Sequence, residues 1–297
     1  MHRILTLAQS LPSIKTGIIY PTNLDAVKGT LFDNKRIIEP VFFGNSSLIK
    51  DLLIQADANP DDYPITHADT SIQAAKQAVM AARNGELLAL MKGNLHTDEL
   101  LKVVLDSECG IRVPHQRITH TCAMFFPEQT LPILVSDAAV NVIPDFTVKK
   151  DMIRNSINLA NALQLPAPIK VALLSADEQV RVQVPSSIDA HHLQIIDWGN
   201  NVIVEGPMAL DIAVSKKAAE IKQINNSQVA GNANILIAAN IEAANAIVKT
   251  MEYFGKAVLS GLLMGAKVPI ILTSRADGAT SRTISCALAC LYANSIK

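Results

Sequence analysis

Residues 268–285 read VPIILTSRADGATSRTIS, and this stretch contains the pattern that decides the fold. The run 268–273 is apolar and mostly β-branched, which is typical of a buried strand. The polar segment 274–277 ends the run, and residues 279–293 then form a predicted helix. A strand that passes through a polar loop into a helix is the repeating unit of an α/β protein.

The same alternation recurs along most of the chain. Predicted strands lie at 16–21, 37–44, 87–93, 169–175, 201–206, 233–239, 256–264 and 268–273. Predicted helices begin near residue 23 and cover 46–56, 69–85, 97–106, 147–164, 189–196, 209–222, 241–254 and 279–293. We expect Asp69 and Thr97 to cap their helices, because short polar side chains satisfy free N–H groups there. The alternation predicts an α/β fold with mostly parallel sheets and flanking helices.

The segment 118–144 interrupts this rhythm. It contains two strand-like runs separated by Pro127, Glu128 and Gln129, which predicts an antiparallel hairpin. A length of 297 residues favours two domains over one, so we place the start of a second α/β domain near residue 116. No linker-like segment separates the two, so we expect a rigid interface with the active site in the cleft between them.

Composition excludes several classes of protein. The net charge of −1 argues against nucleic-acid binding, which requires a basic surface. The apolar run 257–265 is too short to cross a membrane, and the N-terminus lacks the apolar core of a signal peptide. Four cysteines without a C-x-x-C pair fit a reducing compartment, with Cys286 and Cys290 as core residues. We therefore expect a cytoplasmic protein.

Polar residues follow several of the predicted strands, where parallel sheets bind their ligands. They are Lys92 and Asn94; Glu205, Gly206 and Pro207; Asn240, Glu242 and Asn245; and Ser274, Arg275 and Asp277. Each group also has a simpler interpretation as a solvated turn or a helix cap. For the last group, Ser274 or Asp277 would cap the final helix and Arg275 would lie on the surface.

Familiar cofactor and nucleophile motifs do not occur. There is no G-x-G-x-x-G, and GLLMGAK at 261–267 is one residue short of a phosphate-binding loop. No G-x-S-x-G is present, so Ser274 is expected to donate hydrogen bonds rather than to attack. His120 and the pair His191 and His192 lack partners at metal-ligand spacing, so we expect no metal site.

Six ordered blocks between residue 87 and the C-terminus resemble the phosphate acetyl/butyryl-transferase family, and the butyryl branch more than the acetyl branch. They are LLALMKGNLHTDELLKVVL, ILVSDAAVNVIP, VALLSADEQV, EGPMALDIAVS, VAGNANILIAANIEAAN and GLLMGAKVPIILTSRAD. The resemblance implies a two-domain fold like that of isocitrate and isopropylmalate dehydrogenases, with 1–115 and 275–297 as a discontinuous first domain and 116–274 as the second. It also implies reversible transfer of a short acyl group between coenzyme A and phosphate. Both are substrates, and no metal or tightly bound cofactor is expected.

The resemblance assigns roles to the strand-end residues. Ser274 and Arg275 match the family's Ser-Arg pair, which would orient the thiol and bind acyl-phosphate oxygens. The acetyl branch carries its catalytic aspartate seven residues after the serine, where this chain has Ser281, so Asp277 is the nearest candidate base. The further candidates for substrate binding are Lys92, Asn94, Thr119, His120, Glu205, Gly206, Pro207, Asn240, Glu242, Asn245 and Lys267. Arg112 and Arg117 are candidates for the phosphates of coenzyme A, on their charge and location alone.

Some positions depart from the family pattern and keep two alternatives open. Relatives carry Pro-Asp-Ile-Glu-Ala-Gly-Asn where this chain has residues 239–245, with Asn240 replacing the aspartate and Ala244 the glycine. The first alternative is therefore a non-catalytic subunit that binds CoA or acyl phosphate. The second is a dehydrogenase of the same fold. The resemblance also implies a homodimer or a larger homo-oligomer.

Overall fold

The structure is a computed structural model that describes residues 1–31, 37–272 and 278–296. The strands are β1 (Ile14–Ile19), β2 (Ile38–Gly44), β3 (Ile65–His67), β4 (Ala89–Lys92), β5 (Thr119–Phe125), β6 (Ile133–Ser136), β7 (Ile169–Leu174), β8 (Val202–Met208), β9 (Ile235–Ile237), β10 (Val258–Met264) and β11 (Ile270–Ile271). The helices are α1 (His2–Gln9), α2 (Leu24–Leu31), α3 (Ser46–Gln55), α4 (Ser71–Arg83), α5 (Thr97–Val104), α6 (Phe146–Ala162), α7 (Pro185–Gln194), α8 (Leu210–Val214), α9 (Lys216–Ile221), α10 (Ile241–Tyr253) and α11 (Ala279–Ser295).

The chain folds as two compact units. The first unit consists of Met1–Ile118 and Ser260–Lys297, and the second unit is Thr119–Leu259. The predicted position of the active site in a cleft between two domains stays a prediction.

The first unit contains a sheet with the strand order β3-β2-β1-β4-β11-β10. The described pairs are parallel except for β10 with β11, where Leu262 and Leu263 face Ile271 and Ile270 in antiparallel register. The central strands are apolar because both faces of a parallel sheet are covered by helices. The helix α11 is buried along most of its length, from Ser281 to Ala293, and contacts both α1 and α2.

The second unit contains a sheet with the strand order β5-β6-β9-β7-β8. The pair β5 and β6 is the predicted hairpin, and it is antiparallel, with Thr121 opposite Ser136. The remaining pairs of this sheet are parallel. The predicted fold class, α/β with mostly parallel sheets and flanking helices, is confirmed.

The predicted N-cap residues of two helices are wrong by one position. Thr70 rather than Asp69 caps α4, accepting a hydrogen bond from the Gln73 backbone N–H at 3.2 Å. The N-cap of α5 is His96 rather than Thr97, and its backbone N–H donates to Glu99 Oε2 at 3.1 Å.

Two further differences concern the ends of helices. The predicted helix 209–222 is two short helices, because Ser215 adopts an extended backbone and caps α9 through its hydroxyl oxygen. The N-cap of α11 is Gly278, so neither Ser274 nor Asp277 occupies the cap position of the last helix.

The cysteines and the apolar runs also have clear positions. Cys286 and Cys290 are free thiols in the core, as predicted, and burial raises the pKa of Cys286 to about 12. The run 257–265 supplies β10, whose residues 260–264 are buried. No helix among the described residues has the length and hydropathy needed to cross a membrane.

Candidate functional site

The carboxyl end of β4 carries the first group of predicted site residues. Lys92 is half-buried, and its ammonium group donates hydrogen bonds to the backbone oxygens of Gly93 and Leu95, both at 3.2 Å. A Cβ atom at Gly93 would lie 2.3 Å from the backbone oxygen of Ile19, so only glycine fits this close approach of two strand ends. Asn94 follows and is exposed. The loop after β4 is therefore fixed in place, with Asn94 available to a ligand.

The strand β11 ends beside this loop. Ile271 pairs with Met91 in parallel register, so β4 and β11 end at the same edge of the sheet. The chain then enters the segment 273–277. The predicted catalytic residues Ser274, Arg275 and Asp277 lie in this segment, outside the described residues.

A cationic cavity lies at the opposite edge of the same sheet. It is the space of about 430 Å³ lined by Arg83, Asp106, Ser107, Gly110, Arg112, Pro114, His115 and Lys267. Arg83 ends α4 shortly before β4 begins, and Lys267 lies three residues before β11. The structure thus brings Arg112 and Lys267 together and separates them from Lys92 and Asn94 by the length of the strands.

Backbone contacts hold the walls of this cavity. The Lys267 backbone N–H donates to Ile111 O at 2.9 Å, and its ammonium group reaches Arg83 O at 3.4 Å. The Arg83 guanidinium donates to Glu108 O. Asp106 is the acidic member of the lining, and hydrogen bonds from the Cys109 backbone N–H and thiol, and from the Glu108 backbone N–H, lower the pKa of its carboxyl group. Because the Asp106 carboxylate is hydrogen-bonded within its own turn, the charge of the lining is dominated by the cationic side chains of Arg83, Arg112 and Lys267.

A buried polar network surrounds the hairpin of the second unit. Asp137 follows β6 and is 1% exposed. Its carboxylate accepts the backbone N–H groups of His120 at 3.1 Å, Ala139 at 2.9 Å and Val140 at 3.0 Å, and the Asn141 amide at 2.6 Å. These four bonds tie the start of β5 to the loop after β6, which fixes where His120 lies.

The predicted substrate contacts Thr119 and His120 lie inside this network. Thr119 is fully buried, and its hydroxyl oxygen accepts a hydrogen bond from the Asn155 amide at 2.9 Å. The His120 ring lies 3.6 Å from the Cys122 sulfur through Nδ1. Burial lowers the pKa of His120 below its ordinary value, and the nearby Asp137 charge opposes that shift without overcoming it. His120 is therefore neutral near pH 7.

We predict a pH dependence of stability from this histidine. Its folded pKa lies below the ordinary value of 6.5, so below about pH 6.5 the unfolded chain binds a proton that the native state does not. The free energy of unfolding should then fall with decreasing pH by up to about 1.4 kcal/mol per pH unit from this group. Urea unfolding between pH 5 and pH 7.5 measures it.

Two variants isolate the effect of His120. His120→Gln should flatten the slope below pH 6.5, whereas His2→Gln, which changes an exposed histidine, should keep it. An unchanged slope in His120→Gln would show that other groups cause the dependence.

The predicted group Glu205, Gly206 and Pro207 lies within β8 rather than beyond its end. The Glu205 carboxylate accepts the Ser227 hydroxyl and the Gln228 backbone N–H, the latter at 3.1 Å, so it organises the loop around Ser227. A Cβ atom at Gly206 would lie 2.6 Å from the Leu173 Cβ. Pro207 is buried. Gly206 thus allows the close packing of β8 against β7, and the Glu205 side chain is used to hold the loop around Ser227.

The amino end of α10 holds the last group. The Asn240 side-chain oxygen accepts the Ala243 backbone N–H at 2.9 Å, which makes Asn240 a helix cap. Glu242 and Asn245 are exposed on the first turns of the helix, while Ala244 is buried. The added methyl of Ala244 therefore points into the core of the second unit.

Sequence reasoning missed Arg83 and gave no role to Asp137. Arg83 is an ordinary basic residue in the last turn of a helix, where it also suits the helix dipole. One signal in the sequence could have identified Arg83. It lies just before β4, as Lys267 lies just before β11, and parallel neighbouring strands begin at the same edge of a sheet. Asp137 follows the apolar run 133–135 in the sequence, but its four hydrogen-bond donors are brought to it only by the fold.

The sequence of this chain is similar to one protein family and to named enzymes of other organisms. Residues 61–290 match the family described as Phosphate acetyl/butaryl transferase. The chain is 40% identical over 301 residues to a phosphate acetyltransferase of Rickettsia typhi, covering 99% of this chain and 85% of the relative. It is 33% identical over 296 residues to a phosphate butyryltransferase of Clostridium beijerinckii, covering 98% and 96%.

A solved structure supports the same assignment. A branched-chain phosphotransacylase from Enterococcus faecalis superposes with a TM-score of 0.81 at 25% identity, covering 94% of this chain and 99% of that chain. The relatives carry both acetyl and butyryl names, so the predicted likeness to the butyryl branch stays a prediction. Because the family match spans well over half of the residues and the relatives span nearly all of them, this chain belongs to the phosphate acetyl/butyryl transferase family of enzymes.

Proposed function

We propose that the protein catalyses reversible transfer of a short acyl group between coenzyme A and inorganic phosphate. The observation that carries this proposal is similarity over nearly the whole chain to relatives named for that reaction, at 33% to 40% identity. Supporting it, β11, which precedes the Ser-Arg pair in the sequence, ends at the same edge of the sheet as β4, where the Lys92 loop begins. Ligands of parallel sheets bind at that edge.

The proposed chemistry is a direct transfer in a ternary complex. In one direction the CoA sulfur attacks the carbonyl carbon of the acyl phosphate, a C–S bond forms, the C–O bond to phosphate breaks, and phosphate leaves. A thiol has a pKa near about 8.5, so a base must remove its proton, and we assign that step to Asp277. Ser274 orients the sulfur by a hydrogen bond. Arg275 binds the phosphoryl oxygens and offsets the charge that builds on the carbonyl oxygen. No metal or resident cofactor takes part in these steps.

We place the phosphates of coenzyme A in the cationic cavity. Its three cations, Arg83, Arg112 and Lys267, suit a diphosphate better than a single carboxylate. Lys267 precedes Ser274 by seven residues, which span at most about 23 Å in extended chain. A ligand that bridges a distance of this order needs a long flexible arm between its charged end and its sulfur. Coenzyme A has this form. Lys92 and Asn94, at the other edge of the sheet, are kept as contacts for the phosphate that is transferred.

Replacing Arg112 tests this placement. Arg112→Ala should raise KM for the acyl-CoA about tenfold with KM for phosphate unchanged, because one charged hydrogen bond to a phosphate is lost. Initial rates at varied concentrations of each substrate measure both constants. Lys50→Ala, which removes an exposed charge on α3 of the same unit, is the control and should change neither constant. Equal effects on both substrates would contradict the placement.

The activity itself is tested with purified protein, acetyl-CoA, butyryl-CoA and longer acyl-CoAs. Phosphate-dependent release of free thiol supports the proposal and ranks the acyl chains. Tight CoA binding in calorimetry without turnover would favour a binding subunit, which the substitutions at Asn240 and Ala244 motivate. Thermal stabilisation by a nicotinamide cofactor with a divalent metal would favour a dehydrogenase.

Assembly and location belong to the same proposal. We infer that the protein is a homodimer or a larger homo-oligomer and that it acts on small-molecule substrates in the cytoplasm. Large apolar side chains on the second unit support an interface: Phe254 is 86% exposed and Tyr253 is 67% exposed at the end of α10. Light scattering on the eluting protein gives the number of chains.

A further inference from the structure

Arg282, in the first turns of α11, is a buried cation, and two of its three guanidinium nitrogens have no acceptor among the described residues. The residue is 9% exposed, and its Nε and Nη1 atoms are buried. No residue in the ranges 1–31, 37–272 and 278–296 accepts a hydrogen bond from either atom. Two buried guanidinium donors without an acceptor are unfavourable, so a site of this kind points to an anion that binds there.

The neighbouring helix is shaped to hold this side chain. The stem of Arg282 packs on Gly29 of α2, where a Cβ atom would lie 2.9 Å from Cδ and 3.4 Å from Cβ of the arginine. Glycine inside a helix weakens it relative to alanine. Gly29 therefore makes α2 less stable than alanine would, but it leaves room for the Arg282 stem.

The amino end of α11 adds a second feature that favours an anion. Its N-cap is Gly278, with no side-chain cap and no acidic residue in the first turn. The first N–H groups of this 17-residue helix therefore receive no carboxylate or hydroxyl from the cap position. Arg282 lies one turn along the helix from this cap, where its backbone N–H donates to Gly278 O at 3.3 Å, and side chains of a helix lean toward its amino end.

We propose that Arg282 and the first turn of α11 form a binding site for a phosphoryl group. A guanidinium and helix N–H groups together suit the oxygens of a phosphate dianion. The site follows the segment 274–277 in the chain, so it would hold inorganic phosphate or the phosphoryl end of the acyl phosphate during transfer. This role in transfer rests on the proposed function, whereas binding of phosphate does not.

Binding is tested first, without any turnover. Wild-type protein should show a melting temperature that rises by about 2 °C when inorganic phosphate reaches ten times its dissociation constant. Arg282→Met keeps the apolar stem and removes the charge. It should melt higher than wild type in phosphate-free buffer, because an unpaired buried charge is gone, and it should lose most of the phosphate shift. Lys50→Met, which removes an exposed charge from α3, should keep the full shift.

Several outcomes would overturn the proposal. A phosphate response in Arg282→Met equal to that of wild type would do so. So would a lower melting temperature in phosphate-free buffer for both Arg282→Met and Arg282→Lys, because this indicates a purely structural arginine. Acetate in place of phosphate is the control anion, and equal stabilisation by acetate would show that any small anion suffices.

Kinetics then test the role in transfer. Arg282→Lys keeps a charge but not the planar fork, and it should raise KM for phosphate about tenfold while leaving KM for the acyl-CoA within twofold. An increase in KM for the acyl-CoA alone would contradict the assignment. If wild-type protein binds phosphate through Arg282 but transfers no acyl group, the proposed function fails and the phosphate site stands.

Discussion

Arg275→Ala is expected to lower the kcat of phosphate-dependent thiol release at least about tenfold, with a loss up to about a thousandfold if the guanidinium contacts charge only in the transition state. In the proposed mechanism this side chain offsets charge on the carbonyl oxygen and on the departing phosphate. That charge is largest when the C–O bond breaks, so the loss should appear in kcat more than in KM. Initial rates with saturating acyl-CoA and phosphate give the value.

The conservative variant separates charge from geometry. Arg275→Lys retains the charge but cannot bind two oxygens in one plane, so it should recover only part of the activity. Melting temperatures within about 2 °C of wild type for both variants would rule out loss of folding as the cause. Wild-type kcat in Arg275→Ala would exclude this residue from the chemistry and leave Arg282 as the remaining candidate among the basic residues of 268–285.

Asp137→Ala should have the largest effect on stability. The carboxylate is 1% exposed and accepts hydrogen bonds from His120, Ala139, Val140 and Asn141. Alanine leaves these donors without an acceptor, at roughly 1–3 kcal/mol for each one that stays buried. We expect the free energy of unfolding to fall by about 4 kcal/mol, measured by urea unfolding followed by circular dichroism.

The matched variant Asp137→Asn keeps one oxygen of similar shape and removes the charge. It should lose about half as much as alanine, because its carbonyl oxygen still accepts two of the donors while its amide meets others. A loss below about 1 kcal/mol in Asp137→Ala would mean that water replaces the carboxylate, and that this network does not fix His120.

Most of the order of elements was predictable because it depends on local pattern, although α1 and the three-residue strand β3 were not predicted. Apolar runs such as 268–273 and 169–175 and the amphipathic stretches between them determine strand and helix by periodicity alone. The hairpin at 118–144 was equally visible, since its turn residues separate two apolar runs. The cap residues were less predictable, because Thr70 and Asp69 are adjacent and have similar propensities.

The site was predictable only where a residue follows a strand. Lys92 and Asn94 occupy the strand end that the pattern indicated, next to the end of β11. Arg83 and Lys267 are 184 positions apart, and only the pairing of β11 with β4 brings them to one cavity. Glu205 looked like a ligand-binding carboxylate, but a loop more than twenty residues away supplies its partners. The partner of a buried polar group is a tertiary property that a single chain does not display.

The path of the chain has a consequence for synthesis on the ribosome. The last helix fills the core of the first unit: it contacts α1, and the Asn294 amide donates to Pro12 O at 3.1 Å. The residues Met1–Ile118 are translated before the second unit, yet the helix that completes their core is translated after it. The continuous stretch Thr119–Leu259 can therefore become compact while the apolar face of the amino-terminal segment that α11 covers is still exposed. A nascent chain stalled near residue 270 would expose that face to chaperones, whereas one released after residue 295 would close it.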